Sequence, residues 1–136
     1  MTSTGLLAVV PDWVTLRSAT EEGRPVVVLL DRAVATTAPY EEFTTQVGVA
    51  VQLSKTPDGL PGEDELPLLT ALEQSVVDAA AGEARLVAVM TLDGVREWVL
   101  YARTTQWTSA FIDAGLSVVA GQDPTWRGLK ELTGGV

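Results

Sequence analysis

The side chains of this chain that could do chemistry are mostly carboxylates. Its 136 residues include 18 Asp and Glu, 9 Lys and Arg, and no Cys or His. Without Cys and His there are no disulfides, no thiolate nucleophiles, no Cys/His zinc sites and no Ser-His-Asp or Cys-His arrangements. The net charge of -9 has the wrong sign for binding nucleic acid or an anionic membrane. We therefore expect no catalytic residue, no cofactor, and no nucleic-acid or membrane partner.

The acidic run Glu63-Asp64-Glu65 follows Asp58 by five residues. Clustered carboxylates can bind a hard cation, but the spacing of a calcium-binding EF-hand loop is absent here. The acids precede a helical pattern, where they would lie at the positive end of the helix dipole. We interpret them as residues that stabilise a helix start, and we predict no metal site.

A polar face shared by two predicted strands is the main candidate binding surface. In the strand around residues 43–53 apolar residues alternate with polar or small ones, which places Gln46 and Gln52 on the face away from the core. Glu97, Tyr101 and Arg103 share the equivalent face of a second strand, and the two strands are neighbours in the predicted sheet. This face could bind a partner, a second copy of the chain or a small ligand. It could also be covered by the N-terminal hairpin and the terminal helix. One tyrosine and a negative charge exclude RNA binding.

Two weaker candidates are Glu73 and Trp126. Glu73 lies beside a helical stripe of Leu69, Leu72 and Val76, so it would sit at the margin of the core. There it could act as an acid or base, or pair with an arginine of the sheet. Trp126 could fix the C-terminus in place, or mark a contact surface if it is exposed.

The element pattern predicts a single α+β domain over residues 1–136. Strands at Trp13–Ser18 and Pro25–Arg32 form a hairpin, and Asp93-Gly94 is typical of a type I′ turn joining strands at 85–92 and 95–103. From Phe43 the order is β-α-β-β-α-β, which predicts a ferredoxin-like core with an antiparallel sheet that the hairpin extends. The predicted parts are residues 1–11 (mobile), 12–32 (hairpin), 43–120 (ferredoxin-like core) and 121–136 (a helix capped by Asp123-Pro124, and a tail).

Three motifs occur in the order Asp58-Gly59-Leu60-Pro61, Thr91-Leu92-Asp93-Gly94-Val95-Arg96-Glu97-Trp98 and Asp123-Pro124-Thr125-Trp126. Together they resemble the bacterial family catalogued as domain of unknown function 695, from about Trp13 to the C-terminus. Longer relatives can carry a second domain similar to the regulator of ribonuclease E activity, B type, which does not fit in this chain. The family tends to have an aromatic residue where this chain has Leu129. The resemblance implies that the chain shares the fold of this family and favours a regulatory role. The family has no established activity that could be assigned to residues of this chain.

These observations favour a non-enzymatic protein-binding or regulatory domain with a partner that presents a basic surface. The only early apolar run, Leu6–Val10, is too short for a signal sequence or a membrane span, so we expect a cytoplasmic protein. The alternatives are a small-molecule-binding domain or carboxylate-dependent enzyme that uses the polar sheet face, and an inhibitor or immunity-type protein. Homodimerisation through that face or an edge strand is compatible with each of them.

Overall fold

Six antiparallel strands form one sheet in the computed structural model, which describes residues 5–54 and 56–133. The strand order is β1-β2-β4-β5-β3-β6, so β1 and β6 are the two edges. The described elements therefore give an α+β fold with one antiparallel sheet and four α-helices. The strands are β1 (Trp13–Ala19), β2 (Pro25–Asp31), β3 (Thr45–Gln52), β4 (Ala84–Leu92), β5 (Val95–Ala102) and β6 (Ser117–Gln122).

The two predicted hairpins are confirmed. β1 pairs with β2 and β4 pairs with β5, both antiparallel. Asp93 and Gly94 have φ values of 49° and 78°, the left-handed conformations that a type I′ turn requires at both central positions. The long apolar run of β2 is explained by its place between β1 and β4, where it contributes side chains to both faces.

One face of the sheet is covered by α2 (Leu66–Ala79) and α3 (Ser109–Asp113). α2 follows a short 3₁₀ turn, Glu63–Glu65, and its N-terminal end is tied to the end of β3. The Glu65 carboxylate accepts hydrogen bonds from Ser54 N at 2.8 Å and Gly62 N at 3.2 Å. The bond from Ser54 is the main reason that the pKa of Glu65 lies below its usual value. The core on this side includes Val47, Val49, Leu69, Val76, Trp98 and Phe111.

The opposite face is covered by α1 (Arg32–Thr37), α4 (Arg127–Thr133) and the residues before β1. The buried residues here include Leu6, Val34, Phe43, Val99, Tyr101 and Trp126. The polar sheet face predicted from the sequence is therefore closed over much of its area. The sequence pattern left the terminal helix and the N-terminal hairpin as possible covers of this face. α4 does contribute to the cover, whereas the N-terminal hairpin extends the sheet at its edge.

Three local expectations differ from the structure. Helix α1 was not expected, because its six residues, Arg32–Thr37, include β-branched side chains and have no side-chain cap. Phe43 was placed with Val47 and Val49, but it precedes β3 and packs in the cluster on the other face. α4 begins at Arg127, four residues after the predicted cap Asp123.

The segment before β1 is held by one arginine. Arg85 donates hydrogen bonds of 2.8 Å to the carbonyl oxygens of Leu6 and Val9, and Leu6 is fully buried. Residues 1–4 of the segment expected to be mobile lie outside the described residues. No helix within 5–54 and 56–133 has the length and apolar character needed to cross a membrane.

Candidate functional site

The hydroxyl of Tyr101 organises the covered sheet face. It donates a hydrogen bond to Asp123 Oδ2 at 2.6 Å, and it accepts hydrogen bonds from Leu129 N at 3.1 Å and Gln46 Nε2 at 3.2 Å. These three bonds use the one donor and both acceptor positions of the phenol. Burial, followed by the adjacent Asp123 carboxylate, raises the pKa of Tyr101 well above its usual value.

Asp123 and Trp126 complete this arrangement, which we call the Tyr101 cluster (Gln46, Tyr101, Asp123, Trp126). The Trp126 ring stacks on Tyr101 with centroids 3.8 Å apart, and its Nε1 donates to the carbonyl oxygen of Phe43 at 2.8 Å. Asp123 also accepts from the backbone N–H groups of residues 127 and 128, both at 2.9 Å. Burial acts to raise the pKa of Asp123, but these hydrogen bonds outweigh it and hold that pKa below its usual value. The cluster fixes α4 on the sheet.

The structure separates the residues of the predicted polar face. Tyr101 is fully buried and contacts Gln46, so it does not project into solvent as the strand pattern suggested. Gln52 lies at the other end of β3, where its amide donates to the carbonyl oxygen of Gly94. Arg103 follows β5, forms ion pairs with Glu42 and Glu83, and lies over the Phe43 ring. Trp126, a weaker candidate, is also fully buried.

Glu97 lies beside the Tyr101 cluster in a cavity of its own. This Glu97 cavity has a volume of about 230 Å³ and is lined by residues that include Gln46, Gly48, Met90, Val119, Glu131 and Leu132. Across the described residues no hydrogen bond or ion pair reaches the Glu97 carboxylate. Burial raises the pKa of this half-buried group. Of the predicted face, Glu97 is the residue that keeps an unpaired functional group at an opening.

An opening larger than the Glu97 cavity lies beside α2. This α2 groove, of about 550 Å³, runs between residues 7–13 and the C-terminal half of α2. Its walls are apolar and include Leu7, Val9, Trp13, Val77, Ala80 and Leu86. Trp13 and Val77, one on each wall, remain 42% and 40% exposed, so apolar side chains on both sides of the groove are open to solvent.

Two charged residues line the α2 groove, and both have partners. Glu73 accepts a hydrogen bond from Trp98 Nε1 at 2.9 Å, so this candidate acts as a hydrogen-bond acceptor at the core margin. Arg85 pairs with the fully buried carboxylate of Asp31 at 2.7 Å. The other side chains that line the groove are apolar, which suits burial of a hydrophobic side chain of a ligand better than acid–base chemistry.

Sequence reasoning singled out Glu73 in the α2 groove but missed the apolar residues of the groove. Trp13 was predicted only as the first residue of a hairpin strand, and Val77 falls outside the apolar stripe of α2. Neither position carries a local pattern for binding, because the groove exists only where the N-terminal segment lies beside the helix. Asp123 was assigned as a helix cap. Its second role, as acceptor of the Tyr101 hydroxyl, has no local signal in the sequence, because the two residues are 22 positions apart.

Comparison with known proteins adds a family and no activity. No curated protein matches the chain, and no solved structure matches it. The model of a family of unknown function, DUF695, matches residues 11–129. This region includes both hairpins, the Tyr101 cluster and all but the first residues of the α2 groove. The chain therefore belongs to the DUF695 family.

Proposed function

We propose that this chain is a non-enzymatic, cytoplasmic protein-binding domain with a regulatory role, and that it holds an apolar side chain of its partner in the α2 groove. The observation that carries the proposal is the apolar opening of about 550 Å³ beside the exposed Trp13 and Val77. Exposed aromatic side chains at the edge of an apolar groove are typical of the residues that dominate the energy of protein interfaces.

The charge of the chain favours a partner with a basic surface. A net charge of -9 produces a negative field around the domain. Such a field speeds association with basic surfaces and opposes association with acidic ones. An inhibitor or immunity-type protein that covers a basic active site is one form that this function could take.

The experiment compares partner capture from the native host by wild type and two variants of the same helix. Val77→Asp places a charge in the α2 groove. Leu68→Asp places the same charge at an exposed position of the same helix outside the groove, since Leu68 is 71% exposed. We expect one partner to be recovered by wild type and Leu68→Asp, with binding weakened about tenfold or more by Val77→Asp. Calorimetry with the purified partner then measures the affinities. Repeated recovery of no partner, or equal affinity for all three proteins, would contradict the proposal.

A second candidate for the α2 groove is a small molecule. Its volume lies within the range of small-molecule sites, and Glu73 could orient a bound ligand or act as an acid or base. A ligand of this kind would raise the melting temperature of the purified chain without any protein partner. A screen of metabolites by thermal shift, with Val77→Asp as the control, separates the two possibilities.

We propose homodimerisation through β6 as a further association. β6 is an edge strand of six residues without charge or proline, and Val119 within it is 67% exposed. Charged residues and proline protect many edge strands from pairing. An edge strand that lacks them can pair with another strand through its free backbone N–H and C=O groups. Light scattering at two concentrations should show a dimer that Val119→Lys disrupts and Thr15→Lys, on the opposite edge, does not. A monomer at both concentrations would rule this association out.

We also propose that β3-α2-β4-β5-α3-β6 is a ferredoxin-like unit. The strand order β4-β5-β3-β6 with two helices on one face supports this interpretation, because each helix connects two strands that have one antiparallel strand between them. An experimental structure of the chain or of a relative, compared with ferredoxin-like domains, tests it.

A further inference from the structure

The Glu97 cavity presents hydrogen-bond acceptors and apolar surface. Its three polar side chains are Gln46, Glu97 and Glu131. The Gln46 amide nitrogen donates to Tyr101, whose own proton goes to Asp123, so the amide oxygen of Gln46 is left as the available acceptor. Carboxylates at neutral pH are acceptors only. A ligand for this cavity must therefore supply the donors.

Glu97 is the central acceptor, and the sheet makes room for it. Its carboxylate lies over Gly48 of β3, so closely that a Cβ at position 48 would collide with Oε2. Gly48 has an ordinary strand backbone, so the need for glycine comes from this contact and not from backbone conformation. A half-buried carboxylate that has lost part of its hydration and gained no partner retains a large capacity to bind a cation.

The walls of the cavity suit an alkyl chain. Met90, Val99, Val119 and Leu132 surround the carboxylate with apolar surface. A methionine in such a wall adapts to ligands of different shape. Glu131 lies at the same opening, where Arg127 already contacts one of its oxygens at 3.2 Å. The cavity thus combines one unpaired anion with a hydrophobic surface of a few side chains.

We propose that the Glu97 cavity binds a primary alkylammonium group. The –NH₃⁺ group has three donors and no acceptor, which matches the three acceptor groups of the residues that line the cavity, the Glu97 carboxylate, the Gln46 oxygen and the Glu131 carboxylate. A guanidinium holds its donors in one plane and fits a single carboxylate instead. The ammonium can belong to a free amine or to a lysine side chain of a polypeptide. The Glu97 cavity shares no lining residue with the α2 groove, and binding there does not depend on the function proposed for that groove.

The test is a titration of the ¹⁵N-labelled chain with n-butylammonium chloride, followed by amide chemical shifts. We expect saturable shifts at Gly48 and Gly128, which line the cavity. Two control compounds define the chemistry: 1-butanol has the alkyl chain without the charge, and tetramethylammonium has the charge without N–H donors. Both should bind at least about tenfold more weakly than n-butylammonium, since they lose the charge-assisted hydrogen bonds.

Two variants locate the site. Glu97→Gln keeps the shape of the side chain and should weaken n-butylammonium binding about tenfold or more. Glu22→Gln removes the same charge from an exposed turn and should leave the affinity unchanged. Gly48→Ala should displace the Glu97 carboxylate and therefore also weaken n-butylammonium binding. If Gly48→Ala does not fold, the affinity of Glu97→Gln alone tests the proposal. Equal affinities for n-butylammonium and 1-butanol, or for wild type and Glu97→Gln, would overturn the proposal.

A further titration, with a blocked lysine, identifies the source of the ammonium group. Nα-acetyl-L-lysine N-methylamide carries the same alkylammonium on a peptide backbone. Binding with an affinity similar to that of n-butylammonium points to a lysine side chain, whereas binding of n-butylammonium alone points to a free amine. Because burial raises the pKa of Glu97, affinity in both cases should decline as the pH falls, starting above the pH at which an exposed glutamate protonates.

Discussion

Tyr101→Phe should destabilise the protein strongly while leaving the apolar packing in place. The variant keeps the ring that stacks on Trp126 and removes only the hydroxyl oxygen. It removes the hydrogen bond to the Asp123 carboxylate and leaves the buried N–H of Leu129 without its acceptor. A hydrogen bond to a charged group contributes about 1.5–3 kcal/mol, and an unsatisfied buried donor costs about 1–3 kcal/mol. Since these costs overlap, we expect the free energy of unfolding to fall by about 3 kcal/mol.

Urea denaturation measures this change, and a second tyrosine supplies the control. Tyr40→Phe removes a hydroxyl that contacts the Thr37 hydroxyl at the surface, where water can replace the lost bond. It should cost less than about 0.5 kcal/mol. The dependence of unfolding free energy on urea should be the same for all three proteins, because the surface exposed on unfolding does not change. A loss of stability in Tyr101→Phe no larger than that in Tyr40→Phe would refute the role assigned to the Tyr101 hydroxyl.

The stability that Asp123 contributes to the Tyr101 cluster should depend on pH. The folded state holds the pKa of Asp123 below its ordinary value of 3.8, so the unfolded chain takes up a proton first as the pH falls. The contribution of Asp123 to stability is therefore complete above the unfolded pKa and is lost as the pH falls through the folded pKa. Asp123→Asn should be less stable than wild type at pH 7, and the difference should shrink below about pH 4. A constant difference from pH 7 to pH 2.5 would contradict this reasoning.

Two further predictions concern the fold. Arg85→Ala leaves the buried carboxylate of Asp31 without its cation and should cost about 3–5 kcal/mol in urea denaturation, whereas Arg32→Ala breaks an exposed ion pair and should cost less than about 1 kcal/mol. Equal losses of unfolding free energy in Arg85→Ala and Arg32→Ala would contradict the idea that burial makes the Arg85–Asp31 pair costly to break. Gly94→Ala forces a side chain into the left-handed region and should lower the unfolding free energy by about 1 kcal/mol, while Gly62→Ala, at φ -74° in open space, should not lower it.

The strand pattern predicted which side of β3 and of β5 faces which layer. Alternation placed Val47, Val49 and Trp98 in one core and Tyr101 on the opposite face, and the structure has them there. The Asp93-Gly94 turn was predictable because only a few residue pairs adopt two successive left-handed conformations. These features follow from local geometry, in which the side-chain period and the turn conformation leave few choices.

What covers each face could not be predicted in the same way. α1 is too short to show a helical period, and residues 5–9 form no regular element. Arg85 and Asp31 are 54 positions apart, so nothing in either local pattern indicates that they pair. The separation of Gln52 from Tyr101 has a different reason. Residues on one strand face can share an orientation and still be far apart, since each residue adds about 3.3 Å along the strand.

Whether a side chain has partners inside the protein, and not its orientation alone, decides if it belongs to the functional surface. Shared orientation made Gln46, Glu97 and Tyr101 look equivalent. Within residues 5–54 and 56–133, however, the Tyr101 hydroxyl has all its hydrogen bonds satisfied, whereas the Glu97 carboxylate has no partner. A satisfied buried group contributes to stability, and a partly buried group without a partner is available to a ligand. The same criterion separates the apolar residues, since Trp126 is buried with its indole N–H paired while Trp13 remains exposed at the α2 groove. Partner satisfaction, which only three-dimensional structure reveals, is therefore the property that assigns these residues to stability or to binding.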